Sequence, residues 1–308
     1  MTFIIWTIQL MILPALSPLF VGILRKMKAK FQNRQGAGIF QPYKDIWKLL
    51  HKDEIISSDA SWIFRIAPFI VFSSTLVIAA SIPTIASFLL NPFTSDIITI
   101  ISIVAISTFF LALAGMDIGG PFGGFGSSRE MTVAALTEGS LLFSLLTLAI
   151  ISNSTNLFSI SNFISTNQLL YFLPITLAFL GFFIAMLAET ARFPFDNPAT
   201  HLELTMIHEA MILEYSGKRL ALMEWASANK LIIFIALGSS LFFPFGIANS
   251  DGFLDITIGI VAFILKALFL CLAIAVIEST TSKLRFFRLP DLLFTSSILS
   301  IIAIGLII

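Results

Sequence analysis

Apolar residues gather in eight long runs, at about 3–24, 64–90, 97–114, 131–151, 169–188, 230–248, 253–278 and 291–308. Each is at least as long as the roughly 17 mostly apolar residues with which a helix can cross a bilayer. The first run is too long for a cleavable signal peptide, lacks a basic start, and is followed by Arg25, Lys26 and Lys28 instead of a small-residue cleavage site. It is expected to remain as the first helix. The pattern predicts an all-α integral membrane protein: one domain over 1–308, a bundle of about eight transmembrane helices with amphipathic cytoplasmic helices. The best candidate for the latter is Gln41–Leu50 (QPYKDIWKLL), which sets Ile46, Trp47, Leu49 and Leu50 against Lys44, Asp45 and Lys48. That division suits a short helix at the membrane surface or under a partner.

Charge sharpens this picture. Basic residues occur in alternate loops: Arg25 to Arg65, then Arg129, then Arg192 to Lys230, and finally Lys283, Arg285 and Arg288. The intervening segments 91–96, 152–168 and 249–252 carry no Lys or Arg. Cytoplasmic loops retain basic residues, so both termini are expected on the non-cytoplasmic side of the cell (inner or plasma) membrane. Of all the Lys and Arg, Lys266 alone breaks the pattern, lying near the middle of the seventh run.

Composition excludes several classes. Hydrophobic residues make up 57% of the chain and charged ones 12%. A soluble fold of this length would expose large apolar patches. The 32 Phe read as lipid-facing filler. A zero formal net charge gives no footprint for nucleic acid. The lone Cys271 cannot build a four-Cys iron–sulfur cluster, and none of His51, His201 and His208 lies in a strongly apolar run. Electron carriers, if the chain serves any, belong to partners.

The polar segments supply the candidate chemistry. Gly115–Arg129 (GMDIGGPFGGFGSSR) matches neither a Walker loop nor a dinucleotide fingerprint and is expected to form a compact cytoplasmic turn opening a helix. His208-Glu209 begins like a zinc-protease motif, but position 212 is Ile. His201, Glu203 and His208 match no strong metal-ligand spacing. Glu203 and Glu214 are eleven apart and would share one face of an unbroken helix, as part of either a proton path or a solvated charged face. Glu138 and Lys266 lie inside apolar runs, where an uncompensated charge costs at least ~2.5–3.5 kcal/mol. Such residues face a bundle interior or a wet cavity, although Lys266 also fits a structural ion pair. Glu130 and Glu138 are eight apart, ~12 Å along one helix, as successive stations would be. Glu278 closes the seventh run, where an interfacial place would satisfy it.

At these residues the chain resembles a known family. AETARFPFDNPATHLEL…LEYSG (Glu189 to Gly217) resembles the signature of the subunit-1 family of respiratory complex I, whose relatives include membrane subunits of group 4 nickel–iron hydrogenases. GAGIFQPYKDIWKLLHKDEI (Gly36–Ile55) resembles the family's first cytoplasmic loop, and Arg129 followed by Glu138 its fourth-helix pattern. The short loop at Gly36–Gly38 and the extra residues between Glu203 and Glu214 are similar to the formate hydrogenlyase and hydrogenase-4 branch. His201 stands where complex I members generally have glutamate.

The resemblance implies a non-catalytic subunit of an oxidoreductase complex that links redox chemistry in a cytoplasmic arm to proton or sodium translocation through buried carboxylates. Proton-path candidates are Glu130, Glu138, Glu203, Glu209, Glu214, Glu224 and Lys266, of which Glu138, Glu203 and Glu224 resemble the family's glutamate channel. Arg129, Glu189, Arg192, Asp196 and His201 fall in the implied junction with the catalytic arm. No cofactor is expected in this chain; a Ni-Fe centre and 4Fe-4S clusters are expected in partner hydrogenase large and small subunits, alongside antiporter-like membrane subunits. The alternatives are the quinone-site subunit of a complex I-like NADH-quinone oxidoreductase, a stand-alone ion transporter, and a purely structural anchor.

Overall fold

Eight helices of the computed structural model are long and apolar enough to cross a membrane. Residues 2–87, 94–167, 170–196, 206–248 and 252–307 are described. The spanning helices are α1 (Thr2–Phe31), α3 (Trp62–Ser81), α4 (Ile97–Asp117), α5 (Pro121–Ser152), α7 (Phe172–Glu189), α9 (Gly217–Leu241), α10 (Phe253–Thr280) and α11 (Leu289–Gly305). Three shorter helices complete the set: α2 (Gln41–Leu50), α6 (Leu157–Asn167) and α8 (His208–Ile212). Among the described residues only isolated bridges, Ala86 to Ala248 and Asp96 to Asn156, have strand geometry. Both tie together loops on the face opposite the basic ones.

Helix ends follow local chemistry. Ser61 caps α3 by accepting from the Ile63 N–H, and Asp96 does the same for α4 through Ile98. Pro121 starts α5, where its missing N–H costs nothing. Pro18 leaves the Pro14 carbonyl of α1 without its usual helical donor. Trp225 Nε1 of α9 donates to that carbonyl at 3.0 Å, and Ser17 Oγ also reaches it. Ser17 then donates to Asn229 Oδ1 at 2.6 Å, and Asn229 Nδ2 to Thr75 Oγ1 at 3.1 Å. This polar clasp joins α1, α3 and α9 in a setting where few other partners exist.

The helices pack as two groups bridged by α4. One comprises α1, α3, α9 and α10; the other is α5, α7 and α11, with α4 against both α3 and α5. Small residues hold the second group together: Ser296 Oγ donates to the Gly181 carbonyl at 2.7 Å, and Ser140 meets Ser297 at 2.8 Å. Between α7 and α9 the backbones stay apart. Phe179 and Phe182 fill the gap against Phe234, Phe242 and Phe243, with ring centroids 4.8–6.3 Å apart.

Several expectations from sequence need correction. The compact turn expected in the Gly-rich stretch is only three residues long, since α4 runs to Asp117 and α5 begins at Pro121, and most of the stretch is helical. Its glycines permit close packing, since a Cβ at Gly123 would stand 2.0 Å from the Gly115 carbonyl oxygen. The outer segment 152–168 holds α6, whose Leu157, Phe158, Ile160 and Ile164 are buried, so its apolar face outweighs its Ser and Asn. Glu214 is not on an unbroken helix, because α8 ends at Ile212 and α9 starts at Gly217. Glu203 and His201 lie outside the described residues. The Phe are not all filler, for Phe64, Phe158, Phe182, Phe195, Phe234, Phe242 and Phe263 are among the largest fully buried side chains.

The helix expected at Gln41–Leu50 is present as α2. It folds back on α1 and α9, burying Pro42, with the Tyr43 hydroxyl donating to the Ala15 carbonyl. Gly22 allows this approach, since a Cβ there would overlap the Ile39 carbonyl oxygen at 1.9 Å.

Candidate functional site

Three buried acids gather where the basic-side ends of α1, α7 and α10 meet the middle of α9. Glu189, Asp196 and Glu278 are all under 7% exposed, so each needs a counter-charge. Glu189 closes α7 and pairs with Lys230 of α9 at 2.6 Å, while Thr108 of α4 donates to the same oxygen at 3.3 Å. Glu278, near the end of α10, pairs with Lys28 of α1 at 3.2 Å and Arg192 at 3.4 Å. Asp196 pairs with Lys283 at 2.6 Å. Its second oxygen accepts the Ile207 and His208 backbone N–H groups at 3.2 Å, fixing the start of α8.

The turn after α7 brings these groups together. Arg192 N–H donates to the Leu187 carbonyl, and both Phe195 and Asp196 N–H return to the Arg192 carbonyl, so 190–196 folds tightly against the helix end. Leu284 N–H donates to the Pro194 carbonyl and fastens the segment after α10 to the same turn. The Phe193–Pro194 peptide bond is cis.

The proton-path candidates from sequence do not all join this cluster. Glu130 of α5 lies within electrostatic range of Lys230, Glu189 and Asp196, and Glu138 within range of Glu189 and Lys230. Glu138 borders a cavity of about 10 Å³ lined by apolar groups including Val104, Leu141, Phe182 and Phe234. Glu209 interacts with Asp196, Glu224 and Arg25, and Glu224 also with Asp45. Burial, reinforced by Glu224 and Asp196, pushes the Glu209 carboxyl up to about 7. Burial and Lys230 push the His208 imidazole down to about 4.

Glu138 thus interacts with the Glu189–Lys230 pair, the pair with Glu130, Glu130 with Asp196, Asp196 with Glu209 and Glu209 with Glu224. In such a series the charge on one member alters the electrostatic setting of the next.

Other candidates stand apart. Glu214 is exposed and reaches toward the α4–α5 turn at Gly120. Arg129 Nη1 donates to the Met206 carbonyl at 3.3 Å. Among the described residues Lys266 pairs with no acid: its ammonium donates to the carbonyls of Ser239, Phe243 and Phe245 at 3.0–3.3 Å. It therefore caps the broken end of α9, beside an apolar groove lined by Phe243, Leu265 and Phe269. Among the described residues, no three His, Cys, Asp or Glu gather as metal ligands.

Sequence reasoning did not single out Lys28, Lys230, Lys283 or Thr108, and placed Glu278 at the interface. The one available signal was position: an acid or base at the basic end of an apolar run, as Glu189, Glu278 and Lys28 all are.

Comparison with known proteins decides the family. The model of the family described as NADH dehydrogenase matches residues 3–308. The chain belongs to this family, that of complex I subunit 1. Two relatives come from Escherichia coli strain K12. Hydrogenase-4 component C is 37% identical over 90% of this chain and 87% of its own length, and formate hydrogenlyase subunit 4 is 32% identical over 90% of each. A more distant member, a subunit of the NADH-quinone oxidoreductase of Paraburkholderia xenovorans, is 29% identical over 82% of this chain and 74% of its own. Among solved structures, a chain of the archaeal membrane-bound sulfane sulfur reductase shares the fold, with TM-score 0.85, 18% identity, and coverage of 100% of this chain and 99% of that one. A multi-pass membrane protein related to subunits of multi-subunit membrane complexes is therefore established.

Proposed function

We propose that this chain is the membrane-anchoring and coupling subunit of an energy-converting nickel–iron hydrogenase or formate hydrogenlyase-like complex, linking redox chemistry in a cytoplasmic arm to proton or sodium movement. The observation that carries the reading is the succession of acids from Glu138 to the buried Glu189–Lys230 pair and on to Asp196 and Glu209. A passive anchor has no use for so many ionisable groups at depth, where each is costly. The hydrogenase branch is favoured by the identities of 37% and 32%, against 29% for the quinone-linked relative.

In this reading the basic face, with Arg129, Glu189, Arg192 and Asp196 beneath it, docks the catalytic subunits, and antiporter-like subunits flank the bundle in the membrane. The Ni-Fe centre and 4Fe-4S clusters belong to those partners, for a chain with one cysteine cannot supply the thiolates. Both termini face away from the cytoplasm, across the cell membrane.

The test is gentle detergent purification of the tagged chain from its host, with metal analysis and hydrogen-dependent dye reduction. Nickel, iron and hydrogen activity are expected to co-purify. Iron and flavin without nickel, with quinone reduction, would replace this reading by the complex I-like one; a chain that purifies alone and transports ions would replace it by a transporter.

A further inference from the structure

Helix α9 breaks inside the membrane, alongside α10. Lys266 lies midway along α10 (Phe253–Thr280), ~20 Å from either end, and its ammonium donates to the carbonyls of Ser239, Phe243 and Phe245. Nearer the start of α10, a Cβ at Gly259 would stand 2.7 Å from the Ile85 carbonyl oxygen and 3.6 Å from the Ala248 nitrogen. Residues 242–248 therefore run unwound beside α10 from the level of Lys266 to that of Gly259, ~10 Å of depth. Phe245 and Gly246 in this segment are exposed, and their N–H groups have no acceptor among the described residues. Next to them is an open groove of about 510 Å³, lined by Phe243, Gly246, Ala262, Leu265, Lys266 and Phe269. A second groove of about 360 Å³ continues it along α10, sharing Ala262 and Leu265.

Two features favour protein over lipid as the cover of this groove. Unwound backbone is not left facing hydrocarbon, because lipid tails offer its N–H groups no acceptor. Charge points the same way. Three carbonyls fill the donors of the ammonium, but the end of a helix dipole amounts to only about −0.5 of an elementary charge, so about half of the positive charge is unbalanced. An uncompensated charge at mid-depth costs at least ~2.5–3.5 kcal/mol, and acyl chains carry no anion to that level. We propose that a transmembrane helix of a partner subunit packs in the groove along α10 and sets an Asp or Glu carboxylate opposite Lys266. The receiving surface suits a helix in length and period. Ile258, Val261, Leu265, Phe269, Leu272 and Val276 are exposed at steps of three and four, a straight stripe of ~27 Å. Gly246 and Ala262 in the groove are small enough to let the partner helix come close. Its carboxylate and the Lys266 ammonium then offset each other's cost at depth. This interface requires a membrane complex, and not any particular redox reaction within it.

The experiment places the photo-crosslinking residue benzoylphenylalanine at Leu265 or at Phe269 of the full chain, in the intact complex within its native membrane. Both side chains are exposed, so their replacement leaves the core untouched. Illumination and mass spectrometry of the joined peptides are expected to identify one partner segment, an apolar run of at least ~17 residues with an Asp or Glu inside it. Replacing that acid by its amide in the partner leaves Lys266 and its three carbonyls as they are. Retention of the partner subunit in mild detergent is then expected to fall roughly tenfold or more. Crosslinks to lipid alone from both positions, a joined segment without an acid, or undiminished retention of the amide variant would each overturn the proposal.

Discussion

Glu189 at the end of α7 and Lys230 midway along α9 form a 2.6 Å ion pair, with both side chains under 17% exposed. The pair joins two helices whose backbones are otherwise held apart by phenylalanine rings. Removing one partner strands the other charge, a loss of ~3–5 kcal/mol for a buried pair. Glu189→Gln is therefore expected to lower the melting temperature of the purified protein sharply. Adding Lys230→Gln should recover part of the loss; a double variant no better than the single one would show that the pair is not the source.

Glu138 is different. It borders an apolar cavity of about 10 Å³ and has no ion pair among the described residues, so Gln replaces it without stranding a charge. Glu138→Gln is expected to assemble normally and melt within ~1.5 kcal/mol of the parent, while coupled ion movement falls. Full pumping by this variant would refute a required role for its carboxylate.

Lys266 holds three backbone carbonyls at the end of α9. Lys266→Met keeps the apolar stem and removes the donors, at ~1–3 kcal/mol for each acceptor left unsatisfied. Reduced thermal stability is expected, with unchanged ion movement per assembled complex. The opposite result, normal melting and lost ion movement, would return Lys266 to the proton path.

Two groups near the basic face give opposite pH signatures. Glu209 is raised to about 7 from 4.5, so the folded protein holds its proton more tightly than the unfolded chain. Its contribution to stability is complete below 4.5 and is lost as pH rises through 7. His208 is lowered from 6.5 to about 4, so the unfolded chain binds the proton more readily and stability falls as pH drops from 6.5 toward 4. Melting curves between pH 4 and 8 are expected to show Glu209→Gln removing the loss on the alkaline side and His208→Gln the loss on the acid side. Identical pH profiles for parent and variants would refute both assignments.

The bundle was legible from sequence because a spanning helix must be apolar along its whole length, and runs such as 97–114 leave no alternative. The alternation of Lys and Arg likewise anticipated which helix ends meet, as Lys28, Arg192 and Lys283 do around Glu278 and Asp196. Pairing was not legible. Lys28 and Glu278 are separated by most of the chain, and no local period reports their contact. The glycines of 115–126 misled for a related reason: Gly serves a tight turn and a close helix crossing equally well, and only the neighbour decides. Depth alone marks the Lys266 charge as costly, but its partners, three carbonyls at a helix end, depend on where α9 ends, which no local pattern reports.

The joint between α7 and α9 combines two kinds of surface. Phe179 meets Phe243 edge-on and Phe182 meets Phe242 at a tilt, so their contact is spread over many weak atom pairs. Ion pairs are directional and steep with distance. The rings therefore set the spacing of α7 and α9 as a shim does, while the Glu189–Lys230 pair pins the two helices at a single point.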